Sequence, residues 1–151
     1  MQSLLQRLSG FFLPSSQEKR MEVSPEAHEA SENQSTHGCH SMAAKHYNEA
    51  IMFYNKAIEL DPNDPFPYYN KALAYEALGR YPDAVIAADK ALRRDPNCAI
   101  AYNTKAMALF ALSRYDEALV AVDKAVSLDK THPEPQNLRE KIAQAIGRQK
   151  L

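Results

Sequence analysis

The side chains best suited to chemistry cluster at His37-Gly38-Cys39-His40, with His46 shortly after them and Cys98 much later. Imidazole and thiolate at short spacing suit a metal ion, but a structural zinc site takes about four ligands, usually in paired spacings. One cluster supplies too few, so a polar, weakly helical surface is expected there and no metal site is assigned. No nucleophile elbow, glycine-rich phosphate loop or paired-carboxylate constellation can be assembled. Asp and Glu instead fall at helix starts, where the dipole accounts for them, and on solvated faces. No catalytic residue and no cofactor are expected, which leaves binding as the work of the chain.

Bulk properties narrow the partner. The 151 residues include 45% hydrophobic and 25% charged side chains, enough for one globular domain with a core. The net charge is -1, and within the patterned region Lys and Arg run no longer than Arg93-Arg94, so no electrostatic footprint for nucleic acid exists. No window of about 18 apolar residues is present, which excludes a membrane-spanning helix. The two cysteines stand far apart, and a reduced, cytoplasmic compartment is the natural expectation.

The elements that must present a binding surface are read from internal self-similarity. Tyr47, Tyr81 and Tyr115 recur every 34 residues, as do Ala50, Ala84 and Ala118, Lys56, Lys90 and Lys124, Ala57, Ala91 and Ala125, and Asp61, Asp95 and Asp129. Each copy reads as two helices. In the second, Tyr68, Ala72 and Tyr75 share one helical face, and Gly79-Arg80-Tyr81-Pro82 breaks the run. Pro82 suits the first turn of the next helix, and Asp83, like Glu49 and Glu117, places a negative charge at its positive end. Those second helices stop at Asp61-Pro62-Asn63 and Asp95-Pro96-Asn97 because proline disfavours the α region before it. The third copy has Lys130 instead, and Pro133 and Pro135 open a last helix carrying Leu138, Ile142, Ala145 and Ile146.

These residues resemble the tetratricopeptide repeat family from Ser31 to His132. The signature positions are filled by Tyr68, Ala72, Tyr75, Ala84, Ala91 and Pro96, then by Tyr102, Ala106, Leu109, Ala118 and Ala125. The resemblance implies an all-α, right-handed superhelical stack of helix-turn-helix repeats at 31–64, 65–98 and 99–132, with residues 133–151 as capping helix and tail. Alanine at these positions lets helices approach closely. The first copy departs from the pattern: Gly38 keeps the small-residue position, but Gln34 and Ser41 stand where aromatic residues are expected. Its first helix is therefore expected to be frayed or irregular. Residues 15–30, within the polar stretch Pro14 to Thr36, are expected to be a flexible linker.

The resemblance also implies a concave surface lined by the first helices. In the second copy that face carries Phe66, Tyr69, Asn70 and Leu73; in the third it carries Ile100, Asn103, Met107 and Phe110. A helix apolar on both faces is not normally left in water. One reading is a groove that receives a peptide or amphipathic helix of a partner protein, with Met107 and the aromatics as adaptable anchors. The other is that neighbouring helices or the chain's own ends cover it. An adaptor is the expected function, with a chaperone shielding apolar segments of a cargo as the alternative. A co-chaperone holding acidic heat-shock chaperone tails is also implied by the resemblance, but of the clamp positions only Asn70 fits. Ser35, Cys39, Ile100 and Thr104 cannot supply charge-assisted bonds to a carboxylate.

Residues 1–14 form an amphipathic pattern, with Leu4, Leu5, Leu8, Phe11 and Phe12 on one side and Arg7 opposite. Three uses stay open: an organelle-targeting sequence, a surface-lying membrane anchor, and a tether that folds back into the groove.

Overall fold

The computed structural model describes residues 20–151, and the amphipathic pattern at 1–14 lies outside them. Seven helices follow in order: α1 Pro25–Ala43, α2 Tyr47–Leu60, α3 Phe66–Ala77, α4 Tyr81–Arg94, α5 Ala99–Ala111, α6 Tyr115–Leu128 and α7 Pro133–Gln149. Each helix packs on the next, and α3 also packs on α5 across the intervening α4. The result is an all-α stack of helix pairs, closed at one end by α7.

The turns between repeats show why the third copy tolerates Lys130. Asp61, Asp95 and Asp129 each leave the helix in extended conformation. The Oδ1 of each accepts a hydrogen bond from the backbone two residues on: Asn63 at 2.9 Å, Asn97 at 3.0 Å and Thr131 at 2.9 Å. The aspartate therefore makes the turn, and the proline after it is dispensable. Asp61 additionally takes the His28 ring at 2.7 Å, which ties the start of α1 to this turn and raises the imidazole pKa.

Turns within repeats share a left-handed residue, at Lys45 (φ 61°), Gly79 (φ 71°) and Ser113 (φ 59°). Each is followed by a backbone bond back to the helix, from His46 to Ser41, Arg80 to Tyr75 and Arg114 to Leu109. This is the glycine-favouring helix end, with glycine in only one copy. Left-handed backbone costs a side-chain-bearing residue about 1–2 kcal/mol, and glycine's greater freedom when unfolded returns about 0.5–1 kcal/mol. Ser113→Gly is thus expected to raise stability by about 0.5 kcal/mol, read as a higher urea midpoint at unchanged slope. A midpoint that holds or falls would show that the turn is unstrained.

Two expectations need correction. Helix α1 is neither frayed nor irregular: it runs 19 residues, with Ser24 accepting from Ala27 N at 3.2 Å, Pro25 in the first turn and Glu26 beside it. It also begins inside the stretch assigned to a linker, so residues 25–30 are helical. The buried stripe of α1 consists of Ser31, Ser35, Gly38 and Ser41. What fills the space is Tyr54 of α2, fully buried, with its hydroxyl donating to Cys39 Sγ at 3.6 Å. A Cβ placed on Gly38 would lie 2.5 Å from that ring. In the other copies the equivalent pairs are Ala72 with Ala88 and Ala106 with Val122. The first repeat has moved volume from its first helix to its second.

Beyond the first pair, one core cluster joins α4 to α7 through Val85, Leu109, Val122 and Ile142. A second gathers Tyr68, Ala91 and Ala101 between the second and third repeats.

Candidate functional site

Helices α3 and α5 present one face inward and one outward. Their packing sides are buried: Tyr68 and Ala72 on α3, and Ala101, Ala106 and Leu109 on α5. The two helices also meet each other, with Ala74 and Ala108 fully buried. These alanines lie 34 residues apart, a spacing visible in the sequence although they were not singled out there. Ala108 packs in the core cluster that includes Val122 of α6 and Ile142 of α7.

On that surface Phe66 and Ile100 are the most exposed, at 37% and 54%. Tyr69, Leu73 and Met107 are half-buried beside them. Phe66 stands edge-on to Tyr69, centroids 5.2 Å apart, which holds both rings in place without covering them. Burial raises the Tyr69 phenol above its ordinary pKa, so the group stays neutral. The Phe110 ring lies 5.5 Å from that of Tyr115, and with Ala145 and Arg148 of α7 it also borders a hollow of ≈ 420 Å³. The capping helix thus takes up part of the face read from the sequence.

The polar members are differently placed. Asn70 Nδ2 donates to the Phe66 carbonyl at 3.1 Å, an internal helix contact. Asn103 Nδ2 reaches Met107 Sδ at 3.7 Å, while its Oδ1 is shielded from solvent and accepts no hydrogen bond. An acceptor removed from water without a partner costs about 1–3 kcal/mol, so Asn103 is a locally destabilising feature of α5. The remaining positions compared with a carboxylate clamp offer no cation. Thr104 is 1% exposed and donates to Ile100 O at 2.9 Å; Ser35 is buried, and Cys39 Sγ accepts from Tyr54.

The histidine-cysteine cluster lies on α1. His37 stacks on Phe53 at 5.4 Å, and among the described residues no grouping of three or more His, Cys, Asp or Glu could hold a metal. No helix among them is long and apolar enough to cross a membrane.

Comparison with known proteins agrees with this architecture. A tetratricopeptide repeat model matches residues 69–133, and a TPR repeat model matches residues 42–79. The small glutamine-rich tetratricopeptide repeat-containing protein 2 of Mycosarcoma maydis is 46% identical over 44 residues, which is 29% of this chain and only 12% of that relative. Among solved structures, the Arabidopsis OM64 TPR domain is 27% identical with a TM-score of 0.76, covering 78% of this chain and 98% of that one. The first TPR of Spaghetti (RPAP3), bound to the HSP90 peptide SRMEEVD, is 26% identical with a TM-score of 0.79, covering 84% and 98%. The TPR2B domain of yeast Sti1, in complex with pHsp70, is 29% identical with a TM-score of 0.74, covering 77% and 98%. A helix pair repeated at a fixed period, matched by two models of the same repeat and superimposable on solved examples, has one assignment: this chain belongs to the tetratricopeptide repeat family.

Proposed function

We propose that this chain is a non-catalytic interaction module that holds a peptide or amphipathic helix of a partner protein against the apolar face of α3 and α5. The observation that carries the reading is the solvent exposure of Phe66 and Ile100, with Tyr69, Leu73 and Met107 half-buried behind them. Apolar side chains at this spacing accept an apolar ridge from a ligand, and methionine adapts to its shape. Support also comes from the Spaghetti and yeast Sti1 domains, both solved with chaperone-derived ligands. The HSP90 peptide ends in acidic residues. With Ser35, Cys39 and Thr104 buried or internally bonded, this face favours an apolar ligand over an acidic tail.

The test is selection of displayed peptides on the full chain, followed by titration of the best binder against Met107→Glu. Selected sequences are expected to carry apolar residues at helical spacing. Forcing a carboxylate into the groove costs at least about 1.4 kcal/mol, a tenfold loss of affinity. Binders that are indifferent to Met107→Glu would remove the groove from consideration.

A further inference from the structure

The repeats carry their own control for a second surface. On the outer side of the stack, Lys105 of α5 pairs with Asp89 of α4 at 2.6 Å, and one period later Arg139 of α7 pairs with Asp123 of α6. One period earlier the corresponding cation is Lys71 of α3, and the residue in the acid's place is Asn55 of α2. Each of these contacts joins a second helix to the first helix that follows it, and only here is the carboxylate missing.

Lys71 and Asn55 border an open groove of ≈ 490 Å³ with Ile58, Tyr68, Tyr75 and Ile86. Lys71 Nζ lies over the Tyr75 ring at 5.6 Å, and Ile86 is 55% exposed. Lys90, Arg93 and Arg94 add positive charge against the acids Glu59 and Asp83, and Asp83 is taken by Arg80 at 2.8 Å. Partial burial, and then the neighbouring Lys90, hold the Lys71 ammonium below its ordinary pKa, and the charge of Asp83, shared with Arg80, only partly offsets them. A half-buried cation beside a like charge is electrostatically costly unless an anion joins it. The patch is local, since the chain as a whole has a net charge of -1.

We propose that this outer groove of the second repeat binds an acidic segment of a partner protein, one carboxylate taking beside Lys71 the place that Asp89 holds beside Lys105. An adjacent apolar side chain of the segment rests on Ile58 and Ile86, and further carboxylates face Lys90. The site is separate from the face of α3 and α5 and does not depend on it.

The experiment is an amide-shift titration of the isotope-labelled full chain with the acetylated, amidated peptide Glu-Leu-Asp-Leu-Glu, alongside its neutral Gln-Leu-Asn-Leu-Gln counterpart. Shifts are expected at Asn55, Lys71, Ile86 and Lys90 with the acidic peptide only. Asn55→Asp restores the missing carboxylate from within and is expected to weaken the peptide about tenfold, as is Lys71→Met. Asn55→Asp should also raise the Lys71 pKa with no peptide present, while Met107→Glu leaves the titration unchanged. The proposal is overturned by shifts confined to Ile100 and Met107, by equal binding of the neutral peptide, by unaltered affinity in Asn55→Asp, or by no shift at millimolar peptide.

Discussion

A chain carrying Tyr54→Ala is expected to lose about 3–5 kcal/mol of stability, the range for truncating a large, fully buried aromatic side chain. Tyr54 is the largest fully buried side chain among the described residues and supplies the bulk missing from α1. Gly38→Ala attacks the same contact from the other side: its Cβ meets the ring at 2.5 Å, and a buried ring cannot swing away. Overpacking costs about 1–3 kcal/mol, against about 1 kcal/mol gained in helix propensity, so a net loss of about 1 kcal/mol is expected. Combined, Gly38→Ala and Tyr54→Ala recreate the Ala72–Ala88 pair of the second repeat. The double variant should therefore be more stable than the sum of the two losses implies, by about 1 kcal/mol or more, in urea unfolding of all four chains. Strict additivity would show that Gly38 and Tyr54 do not act as one packing unit.

Ile142→Asp is expected to have a comparable effect at the opposite end. Ile142 is the fully buried anchor of α7, set among Leu109 and Val122 with Leu138 and Ile146 alongside. An ionised carboxylate there has no partner, and an uncompensated buried charge costs about 3–5 kcal/mol. Because each element of a repeat stack is held by its neighbours, the helix is expected to undock before the rest unfolds. Amide exchange should then lose protection in α7 and at the last turns of α5, with α1 to α3 retained. Uniform loss along the chain would mean that the stack unfolds as one unit.

Much of this was legible in the residues. The 34-residue registers located α2, α4 and α6, and the proline-rich segment after Asp129 located α7. The first helix was misread because its neighbour fills the gap: periodicity judges one helix at a time, whereas packing volume belongs to the pair. The linker was misread for a related reason, since Ser, Glu and Gln also furnish an exposed helix face. The Ser24-Pro25-Glu26 start was available as a cap signal. At the candidate groove, the outward placement of Phe66 and Ile100 followed from helical spacing, but the hollow that Phe110 shares with α7 depended on where that helix docks. The outer groove emerges only when Asn55 is compared with Asp89 and Asp123, an exception to a pattern first seen as ion pairs in three dimensions.

The inverted Gly38–Tyr54 pair bears on how such a gene can lengthen. Unequal crossing-over that joined the first helix of repeat one to the second helix of repeat two would set Gly38 against Ala88 and leave a void. The reciprocal product would drive Ala72 into Tyr54. Exchange between repeats two and three sets Ala72 against Val122, or Ala106 against Ala88, which differ by little more than two carbons. Duplication or loss of repeats by recombination is therefore tolerated on one side of the array and resisted on the other, so the first repeat is inherited as a matched set.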